Sequence, residues 1–269
     1  MIGPAEAAAY LEFAYRTAQA AGAVVLPHFR QALVVEDKRN FMGYDPVTAA
    51  DRAAESVIRD AIKAAYPAHG IHGEEHGREL GISALTWVID PIDGTKSFIL
   101  GQLHWGILIA LHDGAAPVVG VAHQPYVGES FLGTAGGRAQ WRRGGETRTL
   151  RTRACPEHAE AIVATTDPRQ FVSASEKAAL ETVAAGARFS RYGGDCYCYT
   201  QLAMGLVDVV IENGLQAYDI QALIPIIEAA GGVVTNWAGG PCDQGGPVIA
   251  CGDPALHRVL LDKLKASGQ

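Results

Sequence analysis

The chain has 269 residues, 48% hydrophobic and 19% charged, the balance of a soluble globular protein, which excludes long disorder, collagen or coiled coil as its main content. Twenty-two Lys and Arg against 29 Asp and Glu leave a formal charge of −7, which disfavours nucleic acid and anionic membrane surfaces as partners, since both are recruited by basic patches. An anionic substrate would need positive charge from elsewhere, and a bound metal ion is the obvious device.

Residues 4–31 read as a helix, with Leu11, Tyr15, Ala18, Gly22, Val25 and Phe29 on one face and Pro27 shortening the last turn. Residues 37–46 read as a mobile polar loop, and a second helix follows from Thr48, a good N-cap, to Tyr66 before Pro67. Short apolar runs at 86–89, 107–111, 118–123 and 130–133 predict strands of an antiparallel sheet packed on helices. A Gly- and Arg-rich stretch over 135–155 marks a soft boundary and reads as a solvated hairpin. Strands at 162–165, 187–191, 207–211, 233–235 and 248–251 then alternate with helices at 173–185, 195–204, 219–230 and from Pro254 to about Lys265, an α/β pattern. The expected division is an α+β metal- and phosphate-binding part, 1–140, and an α/β substrate-binding part, 141–269.

The five Cys are odd in number and lack zinc spacing, so they read as reduced. Met1 to Tyr10 carries Glu6 and no basic segment, and the longest uncharged run, 97–112, is too short to span a bilayer. The expectation is a cytoplasmic protein.

The chemistry concentrates in Trp87-Val88-Ile89-Asp90-Pro91-Ile92-Asp93-Gly94-Thr95. An apolar strand ends in two acids around a Pro turn, and convergent carboxylates make a hard-oxygen site suited to Mg²⁺. Gly94 permits close backbone approach, and Thr95 can open a helix whose free N–H groups accept phosphate. Gly73-Glu74-Glu75-His76 is weaker and is also what a solvated turn looks like. Thr48-x-x-Asp51 resembles a capping box. Asp219, after the strand-and-turn run Val209 to Tyr218, suits an N-cap as well as a metal ligand.

Together these segments resemble the inositol monophosphatase family of Mg²⁺-dependent phosphomonoesterases, in order and spacing across nearly the whole chain. The resemblance implies a layered α/β/α/β/α sandwich, an active site with two or three Mg²⁺ ions, and a homodimer. It implies metal ligation by Glu74, Asp90, Asp93, Asp219 and the carbonyl of Ile92. Thr95 would orient the attacking water, with Asp51 and Glu74 assisting. Gly94 and Thr95 would bind phosphate, and Lys38 would lie in the loop near the metals.

Gly193-Gly194-Asp195-Cys196-Tyr197 falls where inositol phosphatases carry a short Gly-Thr/Ser-Ala stretch, so Asp195 adds a carboxylate on the leaving-group side; it would equally serve as an N-cap. Glu212 is a second acid there. Two carboxylates suit an ammonium better than a neutral polyol, and the segments Asp93 to Ile99, Gly193 to Tyr197 and Asp219 to Ile227 look like the histidinol-phosphatase branch of the family. The expected substrate is L-histidinol phosphate. Inositol 1-phosphate is the alternative, followed by 3′-phosphoadenosine 5′-phosphate or a non-catalytic phosphate-binding role.

Overall fold

The computed structural model describes residues 2–32, 34–37 and 46–267. In chain order it contains α1 (Pro4–Val25), β1 (Val35–Asp37), β2 (Pro46–Thr48), α2 (Ala49–Ala65), β3 (Gly70–Gly73), β4 (Gly77–Glu79), β5 (Thr86–Asp93), α3 (Thr95–Ile99), β6 (Gly106–His112), β7 (Pro117–Gln124), β8 (Glu129–Thr134), β9 (Gln140–Arg143) and β10 (Glu146–Thr149). The second half adds β11 (Ile162–Thr165), α4 (Ala174–Ala184), β12 (Phe189–Tyr192), α5 (Asp195–Ala203), β13 (Val209–Leu215), α6 (Ala217–Ile220), α7 (Leu223–Ala229), β14 (Val233–Asn236), β15 (Gly246–Cys251) and α8 (Pro254–Ser267).

Two sheets organise the chain. An eight-stranded sheet runs β10-β9-β8-β7-β6-β5-β3-β4, antiparallel except where β3 lies parallel to β5. It continues past residue 140 through the β9–β10 hairpin to Thr149. A five-stranded mixed sheet runs β12-β11-β13-β15-β14.

Strand alternation divides the core into layers. Trp87, Ile89, Ile107, Ile109, Val119 and Val121 pack on α1 and α2. Val88, Leu108, Ala110, Ala122 and Phe131, on the opposite face, pack on α5 and α7, which also cover Val210, Val248 and Ala250 of the second sheet. Val163, Val209, Ile249 and Cys251 turn to α4 and α8. The result is the α/β/α/β/α sandwich. All five cysteines are free and buried, and among the described residues no helix is long and apolar enough to cross a membrane.

Three elements differ from expectation. The first helix stops at Val25 and tightens into a 3-10 turn, Leu26–His28, with Pro27 inside it. Short strands β1 and β2 flank the segment read as a loop. The helix expected over 219–230 is split into α6 and α7: Pro225 has no N–H to bond Gln221 one turn back, so the α-helical run breaks there.

Candidate active site

The site lies where β3 and β5 end beside the N-termini of α2 and α6. Strict alternation would send Asp90 and Asp93 to opposite faces of β5. The β5–β6 register slips between these two residues, and Ile92 joins Ile89 in the core under α1 and α2. Pro91, which lacks a ladder donor, sits inside the slip. The bulge brings both acids to one side.

There a carboxylate oxygen from each of Asp90, Asp93 and Asp219 lies within 4.8 Å of the others. Each acid is also braced by a main-chain N–H: Ile92 on Asp90 at 3.1 Å, Cys196 on Asp93 at 2.6 Å, and Gln216 on Asp219 at 2.6 Å. Asp219 is therefore the third residue of α6, reaching back to its cap, and not itself the N-cap.

Burial dominates the electrostatics, and mutual repulsion adds to it. Burial, then the charges of Glu74, Asp93 and Asp219, push Asp90 well up from the carboxylate range. Burial with Asp195 and Asp219 pushes Asp93 up to about 8, against the Cys196 amide. Burial takes Asp219 up to about 7, opposed by the Gln216 amide and aided by Glu74. Such a cluster gains most from a small multivalent cation.

Asp51 is fully buried and forms the expected capping box with Thr48, whose amide and hydroxyl both donate to Oδ2, at 2.8 and 2.6 Å. Its Oδ1 has no hydrogen-bond partner among the described residues. Burial raises this carboxyl to about 6. A hard-oxygen set with one orphaned buried oxygen fits Mg²⁺ and its water.

The other expected residues are placed as follows. Glu74 falls outside the three-acid group, yet its charge acts on Asp90 and Asp219; its own N–H donates to Ile89 O at 3.2 Å. Ile92 O accepts from Thr95 Oγ1 at 3.1 Å. Gly94, at φ 83°, caps α3 in the left-handed region. Lys38 lies outside the described residues.

Gly194, not Asp195, occupies the N-cap of α5. Asp195 follows at φ 45° and accepts from Ser97 Oγ at 2.7 Å. Burial raises its carboxyl, while Ser97, His104 and Lys96 oppose that. Glu212, 1% exposed, accepts from Thr166 N at 2.6 Å, Thr166 Oγ1 at 2.8 Å and Thr165 Oγ1 at 3.3 Å. Burial still lifts it to about 8, and the Asp195 charge contributes. Ser97, Thr166 and the Cys196 amide escaped the sequence reading because each acts on a residue 46 to 103 positions away.

With this geometry in hand, the profile of the inositol monophosphatase family matches residues 6–269. The chain belongs to that family. It is 39% identical over 259 residues to the chloroplastic bifunctional phosphatase IMPL2 of Arabidopsis thaliana, covering 92% of this chain and 72% of that one. It is 32% identical to a histidinol-phosphatase of Chlorobaculum parvum, covering 93% and 95%. The solved structure of an inositol monophosphatase from Zymomonas mobilis superposes with a TM-score of 0.85 at 34% identity, over 98% of this chain and 100% of that one. As a member of the inositol monophosphatase family the chain is a phosphoric monoester hydrolase acting on small-molecule phosphate esters. The family uses divalent metals, typically Mg²⁺.

Proposed function

We propose that this chain hydrolyses L-histidinol phosphate to L-histidinol and phosphate, a step toward histidine, with Mg²⁺ as its metal. The observation that carries the reading is Asp195. Its charge acts on both Asp93 and Glu212, and its side chain lies against Gly94, next to Asp93. It is held on a left-handed residue, a conformation that costs a non-glycine residue about 1 kcal/mol or more. A half-buried carboxylate on a strained residue beside other acids is destabilised, and Ser97, His104 and Lys96 offset this without outweighing the desolvation, so a further cationic group is favoured there. The substrate's ammonium, two carbons from the ester oxygen, is such a group, and charge-assisted hydrogen bonds to it are strong. Glu212 supports the same end through Oε2, which among the described residues takes only the 3.3 Å bond from Thr165.

In this reading Glu74, Asp90, Asp93, Asp219 and Ile92 O hold two or three Mg²⁺ ions. When bound, the metal supplies charge neutralisation at the phosphoryl oxygens and a lower pKa for the attacking water. Asp51 Oδ1 accepts a hydrogen bond from that water, and its raised pKa suits proton transfer near neutrality. Thr95 orients the water, its hydroxyl fixed by Ile92 O. The amides of Gly94 and Thr95 face the phosphate. The reading includes a homodimer, which light scattering on the purified chain checks.

The relatives support either substrate, since the inositol and histidinol enzymes are 34% and 32% identical to this chain. The deciding assay is phosphate release in Mg²⁺ from L-histidinol phosphate and from inositol 1-phosphate. Histidinol phosphate is expected to give the higher kcat/KM, and Asp195→Asn to lower that value about 10- to 100-fold, the worth of a charge-assisted bond, while sparing a neutral ester. Equal losses on both esters would remove Asp195 from substrate choice. Preference for the inositol ester would replace the substrate and keep the site.

A further inference from the structure

Helix α2 turns a row of polar side chains inward. Asp51, Glu55 and Arg59 recur every four residues, all buried, beside the apolar row Ala50, Ala54, Ile58 and Ile62. Asp51 belongs to the site described above. Glu55, 0% exposed, lies under the turn joining β3 to β4, which carries Glu74.

Glu55 accepts from Glu75 N at 2.7 Å on Oε2, and from His76 N at 3.2 Å and Arg59 Nε at 2.7 Å on Oε1. Arg59 in turn donates to Gly77 O and stands 3.6 Å from Glu79 Oε2. Gly73 leaves room for the carboxylate: a Cβ there would come within 2.9 Å of Glu55 Oε2. The turn is thus fastened at the two N–H groups after Glu74 and at the first carbonyl of β4, while the Glu74 N–H is fastened to β5.

A buried ion pair is a poor source of stability, because desolvating two charges offsets most of their attraction. This pair sits where it orders a turn bearing a site carboxylate, and carboxylate ligands depend on such outer partners for their aim.

We infer that the Glu55–Arg59 pair positions Glu74 and thereby sets the affinity of the site for its cation. The inference rests on the metal site proposed above. Both residues are positioning residues, and neither touches the reacting atoms.

The test uses Mn²⁺ binding to the metal-free chain, followed by electron paramagnetic resonance. Glu55→Gln is expected to weaken Mn²⁺ binding about tenfold and to raise the Mg²⁺ needed for half-maximal phosphate release by a similar factor, with kcat at saturating Mg²⁺ falling less than about threefold. The amides of Glu75 and His76 should exchange faster with deuterium. Arg59→Lys keeps the charge but not the two-pronged donor; it should move the same quantities in the same direction, and it decides the matter if Glu55→Gln does not fold. Lys63→Ala, which removes an exposed pair with Glu79 at 2.8 Å from the same helix, should change none of them. A folded Glu55→Gln or Arg59→Lys chain with wild-type Mn²⁺ affinity overturns the inference, even if its melting temperature drops. A wild-type chain that takes up no Mn²⁺ overturns the metal site as well.

Discussion

Gly120 of β7 and Gly133 of β8 are cross-strand partners, and α7 lies on them backbone to backbone. A Cβ at Gly120 would fall on the carbonyl oxygen of Ala222 and stand 2.8 Å from the Ala222 carbonyl carbon and from Pro225 Cγ. One at Gly133 would stand 2.5 Å from both Ile226 Cα and Pro225 O. Carbon atoms rest at about 3.5–4.0 Å, so Gly133→Ala requires α7 to rise by about 1 Å. Main chain lies on both sides, and no side chain can rotate away. Overpacking usually costs about 1–3 kcal/mol, and the upper end applies here. At about 2–4 °C per kcal/mol for a chain of this size, the melting temperature should fall by about 6–12 °C. α6, with Asp219, joins α7 through residues 221–222, so the same rise carries Asp219 away from Asp90 and Asp93. A misplacement of about 1 Å can cost about 100-fold in rate. Gly133→Ala, and Gly120→Ala more so, should therefore melt lower, turn over slowly and need more Mg²⁺. Because both push on one helix, the double variant should lose less than the sum. Gly3→Ala, with nothing within 4 Å of the new methyl, is the control. A Gly133→Ala chain that melts within about 2 °C of wild type and turns over normally would refute the argument.

The acidic cluster gives the metal-free chain an inverted pH response. Asp93 and Glu212 at about 8 and Asp219 at about 7 are raised, so the native state holds more protons than the unfolded one from about pH 4 upward, and stability should fall as pH rises from 6.5 to 8.5. Melting curves in EDTA should show this fall, Mg²⁺ should reverse it, and Asp93→Asn should flatten it while abolishing turnover; a metal-free melting temperature that climbs with pH would count against the cluster. His123 acts oppositely. Burial lowers its imidazole from 6.5 to about 4, so the native state binds fewer protons than the unfolded one in that window, and stability present above pH 6.5 is lost as pH falls toward 4. The loss attributable to it is about 3 kcal/mol, and His123→Gln should narrow the gap between urea midpoints at pH 7 and pH 4.5; an unchanged gap would exclude His123 as its source.

The residues that announced the chemistry and the residues that aim it differ in how far they reach along the chain. The acids of β5 were legible as a pair because an apolar strand rarely ends in two carboxylates around a proline. Their convergence, however, comes from the bulge, and Pro91 was its only local sign. Asp51 was legible as a cap from Thr48. Glu55 and Arg59 were not, because an acid and a base four apart on a helix ordinarily mark its solvated face; only their fit beside Ala54 and Ile58 shows that the polar row turns inward. For Asp219, read as a metal ligand, and Asp195, read as a substrate-binding acid, local pattern offers an N-cap as the alternative. The observed N-caps are Gln216 and Gly194: Asp219 sits three residues into α6 and accepts from the Gln216 N–H, and Gly194 makes room for Cys198, whose Sγ packs against it. Asp195 is held by Ser97, 98 residues earlier, and Glu212 by Thr166, 46 residues earlier. The two β5 acids proposed to hold metal are neighbours in sequence because a bulged strand can gather them within one turn, whereas Asp219 reaches them from α6. The acids proposed to choose the leaving group are held across two sheets, so their roles depend on the topology that brings β5, β11, β13 and α5 to one place.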